Sequence, residues 1–193
     1  MSRLHTVVRF VRRAHARAGL PLSCGVVSDE HLNREVGVFH RILVAIDGSE
    51  HAQRALDEAV DLAQLSNARL TVMTVQQKPS TLLVGGPVVP PVDMRGLDET
   101  LQREHEQLLE GAIEQVPEDV SVTKVLAQGS PASAIVEQAR KDGNDLIVLG
   151  SRGRGEVASM LLGSVSHQVL QRSTAPVLVV HVDRDAEAEG LAR

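Results

Sequence analysis

Four consecutive apolar residues, Leu146-Ile147-Val148-Leu149, stand between Asp145 and Gly150. The run is too short for a helix and lacks polar alternation, the pattern of a strand buried on both faces. Such strands belong to parallel sheets covered by helices on each side, so this run narrows the chain to the α/β class. It stops at Gly150, and Gly153 and Gly155 follow closely. After a short segment, Gly163-Ser164-Val165-Ser166 opens a helical pattern. Strand, glycine turn and helix start together prepare a backbone for an anion. Glycine lets N–H groups approach a ligand with no Cβ in the way, and a helix N-terminus carries unpaired donors and partial positive charge.

The rest of the chain repeats the strand-then-helix alternation from His40 onward. Arg41 to Asp47 reads as a buried strand ending in an acid, followed by Gly48 and Ser49, an N-cap candidate. Ala52, Ala55, Leu56, Ala59 and Ala63 then recur at helical spacing with polar residues between them. Arg69 to Val75 is a second strand, and residues 76–96, with four prolines and three glycines, read as a long irregular loop. Leu97, Leu101, Leu108, Leu109, Ala112 and Ile113 share one side of a long helix, and a third strand is expected over Val120–Ala127. Ser130 and Pro131 start another helix as N-cap and first residue. A helix over Ser164–Arg172 and a last strand over Pro176–Val182 close the series. The alternation predicts one doubly wound, mostly parallel sheet of five strands with helices on both faces. Ligands of such sheets sit beyond the carboxyl ends of the strands, where the winding reverses. Asp47 and Gly150 are the natural walls of that crevice.

Residues 1–39 differ in kind. Six arginines stand against three acids there, a net charge of +3 against −8 for the remainder. Leu4, Val7, Val8 and Val11 give residues 3–18 a weak helical pattern. The segment reads as a mobile or peripherally packed extension, residues 40–183 as the domain, and residues 184–193 as a tail. The 42% hydrophobic content is ample for one core, yet there are two Phe and no Tyr or Trp. Scarce aromatics and a net charge of −5 argue against a nucleic-acid partner. The single cysteine, Cys24, excludes an internal disulfide and fits a reducing cytoplasm. No apolar run approaches the length of a membrane span.

The glycines and serine at Gly150, Gly153, Gly163 and Ser164 form Gly-x2-Gly-x9-Gly-Ser and point to a phosphate. The P-loop and dinucleotide fingerprints are both absent. Asp47 could accept from ribose hydroxyls or an adenine amino group, and Arg152 and Arg154 could neutralise phosphates. His181 in the last strand reads as structural or interfacial. No His, Cys, Asp and Glu set has metal-ligand spacing, and no catalytic base stands out.

From about His40 to Val182 the sequence resembles the ATP-binding branch of the universal stress protein family. RILVAIDGSE, ALDEAVDLA, GSPASAIVEQA, DLIVLGSRGRGEVASMLLGSVS and STAPVLVV occur in that family's order, and the glycine-serine spacing is its most specific motif. The resemblance implies strand order 3-2-1-4-5, counted from Arg41. It implies ATP, with Mg²⁺ held mainly by the phosphates. Ala45, Ile46 and Asp47 would meet adenine, as would Val75. Leu149, Gly150, Ser151, Arg152 and Gly153 would surround the ribose and first phosphates, and Gly163, Ser164, Val165 and Ser166 the terminal ones. It also implies a homodimer through Val177 to Val182, a strand whose apolar edge would otherwise stand open. The function so implied is nucleotide-dependent regulation in a stress response, with at most slow hydrolysis. A nucleotide-dependent hydrolase or transferase on a related fold is the alternative, and a phospho-acceptor domain built on Asp47 is a further one. The latter wants a late lysine, and residues 172–184 contain none.

Overall fold

The computed structural model describes residues 7–11, 39–77, 94–153 and 162–182. In chain order the elements are β1 (Val7–Val11), β2 (Arg41–Ala45), α1 (Glu50–Ser66), β3 (Arg69–Gln76), α2 (Met94–Ile113), β4 (Val122–Gln128), α3 (Pro131–Asp142), β5 (Leu146–Gly150), α4 (Ser164–Arg172) and β6 (Val177–His181). The five strands β2 to β6 pair in parallel in the order expected, 3-2-1-4-5 counted from β2. Arg154, Gly155, the proline-rich residues 78–93 and the tail from residue 183 lie outside the described residues.

Alternate residues of each strand feed two cores. Ile42, Val44, Leu70, Val72, Leu146, Val148, Leu178 and Val180 face α1 and α2. Leu43, Met73, Ile147, Leu149, Val177 and Val179 face α3 and α4. This is why β5 has no polar alternation: all five of its residues are buried. Asp145 accepts the His40 and Arg41 N–H groups at 2.9 and 3.0 Å and ties the starts of β2 and β5 together.

The departures from expectation have local causes. Strand β4 begins at Val122 because Val120 is held in a turn by its N–H to Pro117 O, 3.0 Å. Ser130 stands at the N-cap of α3 but makes no side-chain cap bond. The largest departure is β1. Val7–Val11, read as part of a helical pattern, is a sixth strand, antiparallel to β6, and it enters the sheet from the segment expected to lie outside the domain. Five residues with four β-branched or aromatic side chains suit either state, and an unpaired strand edge decides the matter in favour of a strand. The open edge on which the expected dimer through Val177–Val182 rested is therefore occupied by the chain itself. No described helix is long and apolar enough to cross a membrane.

Candidate functional site

The winding reverses between β2 and β5: the chain steps outward from β2 through β3 to β4, then crosses back to β5. Helices approaching from opposite faces cannot close over that point, and a crevice opens at the strand ends. Register builds its floor. Ala45 lies between Leu149 of β5 and Met73 of β3, and Val75 follows Met73 on the same face. The Ile46 N–H to Met73 O bond, 2.8 Å, carries the ladder one residue further. The cleft contains about 650 Å³ of open space including its mouth.

Asp47 stands at the rim, half-buried. Its Oδ1 accepts from the Ser49 N–H at 3.0 Å and the Ser49 hydroxyl at 2.6 Å. Gly48, at φ 79°, makes this tight turn possible. The same Ser49 Oγ accepts the Ala52 N–H at 3.2 Å and so caps α1. Asp47 Oδ2 faces Gly153, where an added Cβ would fall 2.6 Å away. Gly153 therefore keeps space for a carboxylate inside the cleft.

Gly150 has a different reason for being glycine. A Cβ there would lie 2.7 Å from His51 C, 2.8 Å from His51 O and 2.9 Å from Ala52 N. The first turn of α1 passes directly over the end of β5, so packing requires the glycine before any ligand does. Its carbonyl accepts the Ser166 hydroxyl at 2.7 Å. Ser166, expected to offer that hydroxyl to phosphate, instead uses it to clip the start of α4 to β5.

Two expected residues do not line the cleft. Ser151 is buried behind it: its N–H donates to Val180 O and its carbonyl accepts from Gly163 N, both at 2.7 Å. Its hydroxyl lies 2.8 Å from His181 Nδ1 and 3.3 Å from His51 Nδ1. The Val182 N–H donates to His51 Nδ1 at 3.2 Å, which makes that nitrogen an acceptor and places the ring proton on Nε2. His181, read as structural or interfacial, meets the loop through the Ser151 hydroxyl. Ser164, the first residue of α4, is exposed and outside the lining.

The other eleven converge: Ala45, Ile46, Asp47, Val75, Leu149, Gly150, Arg152, Gly153, Gly163, Val165 and Ser166 all border the one cleft. Helix α4 starts without a side-chain cap, with Gly163 at the N-cap position. The N–H groups of its first turn have no partner within the helix, and Gly163 has no side chain to accept from them. Residues not anticipated complete the walls: Met73, Ala52, Gln77, and Pro131 with Ile135 from α3. Period-two spacing from Val75 was a sufficient signal for Met73. Pro131 and Ile135 are one helical turn apart, but only the packing of α3 on this face brings them to the site.

Residues 39–181 match the sequence model of the Universal stress protein family. The Universal stress protein YxiE of Bacillus subtilis (strain 168) is 40% identical over 147 residues, spanning 74% of this chain and 99% of that protein. Among solved structures, the hypothetical protein MJ0577 superposes with a TM-score of 0.66 at 26% identity, covering 77% of this chain and 99% of that one. A universal stress protein solved in complex with cAMP superposes with a TM-score of 0.51 at 28% identity, covering 76% and 100%. On the family match across most of its length and the identity to YxiE, this chain belongs to the universal stress protein family.

Proposed function

We propose that the protein binds an adenine nucleotide, ATP with Mg²⁺, in the cleft between β2 and β5, and that the bound nucleotide acts as a regulatory ligand in a stress response. The observation that carries this reading is the meeting of three surfaces in one cleft. An apolar floor of Ala45, Met73, Val75 and Leu149 suits a purine ring, the Asp47 carboxylate at the rim suits hydroxyl or amino donors, and the uncapped start of α4 suits phosphate. Arg152 on the same wall adds positive charge. The relative solved with cAMP supports an adenine nucleotide as the ligand class.

The residues fit such a ligand in chemistry. Gly153 leaves room beside Asp47 that any side chain would fill. Among the described residues no three His, Cys, Asp or Glu side chains converge on a metal-sized site. Mg²⁺ would accordingly arrive on the phosphates, neutralising them with water in its remaining positions. A ligand of this kind regulates by binding one conformation better than another.

Calorimetric titration with ATP, with and without Mg²⁺, and with AMP and cAMP in parallel, tests the reading. Saturable binding of ATP, strengthened by Mg²⁺, is expected. Binding of AMP or cAMP alone would keep the purine site and overturn the triphosphate assignment. Absence of heat with every nucleotide at millimolar concentration would overturn the whole.

A further inference from the structure

Ile46 and Ala52 border two cavities. One is the cleft already described. The other lies on the α1–α2 side of the sheet, between the start of α1 and the end of α2, and holds about 220 Å³ that a water-sized group can enter. An apolar cavity of about 150 Å³ already admits benzene. We propose that this second cavity is a binding site for a small, neutral, planar molecule carrying an amide-like edge, with one hydrogen-bond donor beside one acceptor.

The cavity exists because a side chain is missing. Gln107, Gly111 and Gln115 follow one another at every fourth position along its rim, with Leu108 and Ala112 on the neighbouring row. Gly111 stands at the middle of that rim, inside α2. A glycine within a helix costs stability relative to alanine. Its φ is not positive, and an added Cβ would meet no atom within 4 Å. At Gly150 packing demands the glycine; at Gly111 neither packing nor backbone conformation does. What the glycine does is keep the space between Gln107 and Gln115 open.

The walls define what would fill that space. Ile46, Ala52, Leu56 and Ala112 are buried core residues and form an apolar base. Water gains little against such a base, since a cavity water needs roughly two to four polar partners. The rim is polar but uncharged: none of the lining residues is Asp, Glu, Lys, Arg or His. It carries three primary amides, Gln53, Gln107 and Gln115. Gln53 Nε2 donates to Gln115 Oε1 at 2.6 Å, and Gln115 Nε2 donates to Gly111 O at 2.8 Å, so two of the amides brace the mouth. The Gln107 amide is uncommitted among the described residues. A primary amide presents a donor and an acceptor side by side and is matched by another amide edge. A charged ligand would meet no counter-charge here. Exposed Glu106 and Glu114, each next in sequence to a rim glutamine, further disfavour an anion. Helix α2 contributes nothing to the walls of the nucleotide cleft, and the inference is independent of the nucleotide reading.

Amide NMR on the full chain tests it, with benzamide as the probe and benzoate as its anionic counterpart. Saturable shifts at Gly48, Gly111 and Ala112 are expected, half-complete at about 1 mM benzamide, as suits so small a ligand. Benzoate should bind at least about tenfold more weakly, because its charge would be buried unpaired. Gly111→Leu places a side chain at the middle of the rim and should abolish the shifts. Gly111→Ala should raise the urea midpoint, alanine being the better helix former, yet weaken benzamide about threefold or more. A glycine kept for structure would not move the two readings in opposite directions. Shifts confined to Asp47, Gly153 and the start of α4 would put benzamide in the other cleft and overturn the proposal. So would the absence of saturable shifts at any soluble concentration. Benzoate binding as tightly as benzamide would overturn the neutral class. If Gly111→Leu does not fold, Gly111→Ala decides: wild-type affinity for benzamide, or a lowered urea midpoint, overturns the proposal.

Discussion

At the scale of single residues, Gly150 and Gly153 look alike in the sequence and serve different ends. A Cβ on Gly150 meets the backbone of α1, which cannot yield without moving a helix. Gly150→Ala is therefore expected to cost about 1–3 kcal/mol of stability, the usual range for overpacking a core, read from urea midpoints. A Cβ on Gly153 meets only the far end of the Asp47 side chain, which can turn aside. Gly153→Ala should leave the urea midpoint nearly unchanged and lower nucleotide affinity about tenfold or more, a loss of roughly 1.4 kcal/mol. Equal losses of stability in the two variants would refute the distinction. The motif marked both positions as close approaches, but it could not say to what. Ser166 shows the same limit: a serine at a helix start reads as a phosphate ligand, while the structure commits its hydroxyl to Gly150 O. Such assignments need the partner's position, which local spacing does not contain. Asp47 and Gly150 were legible as crevice walls because strand ends in a doubly wound sheet have few places to go, whereas Ala45 and Leu149 came only with the family resemblance.

At the scale of elements, α1 was written plainly in the sequence and β1 was not. Helix α1 has an N-cap serine, an apolar stripe of Ala52, Ala55, Leu56, Ala59 and Ala63, and a left-handed Asn67 at its end with φ 51°. Each signal is local and all agree. Ser49 also holds Asp47, so the helix cap and the rim of the cleft share one hydroxyl. Ser49→Ala should cost about 1 kcal/mol, as for other lost N-caps, and should weaken nucleotide binding as well, since Asp47 loses a 2.6 Å partner. Ser49→Gly tests the coupling further. Glycine caps almost as well as serine, so stability should largely return while affinity does not. Recovery of both would show that Asp47 is positioned without Ser49. Strand β1, by contrast, is five residues whose pattern fits a helix as well as a strand. Its state is decided by the vacant edge of β6, some 170 positions away in sequence, and no window of local pattern contains that information.

At the scale of the whole molecule, the cleft is a consequence of winding order, and its walls come from elements that touch across the switch point. Asp47 follows β2, Met73 and Val75 belong to β3, Pro131 and Ile135 to α3, Gly153 follows β5, and Val165 belongs to α4. A nucleotide lodged there would contact both halves of the sheet at once, so its binding energy should appear as global stability. At a free concentration of 100 times its dissociation constant, a ligand bound only by the folded state contributes about 2.7 kcal/mol. For a chain of this size about 2–4 °C of melting temperature accompanies each kcal/mol, which predicts a rise of roughly 5–10 °C with Mg-ATP. The rise should be absent in Gly153→Ala at the same nucleotide concentration and present in Gly150→Ala from a lower starting temperature. Scanning calorimetry on the three proteins gives the comparison. A rise of equal size in wild type and Gly153→Ala would place the nucleotide elsewhere on the molecule, because only at this cleft does the Asp47–Gly153 approach stand between ligand and backbone.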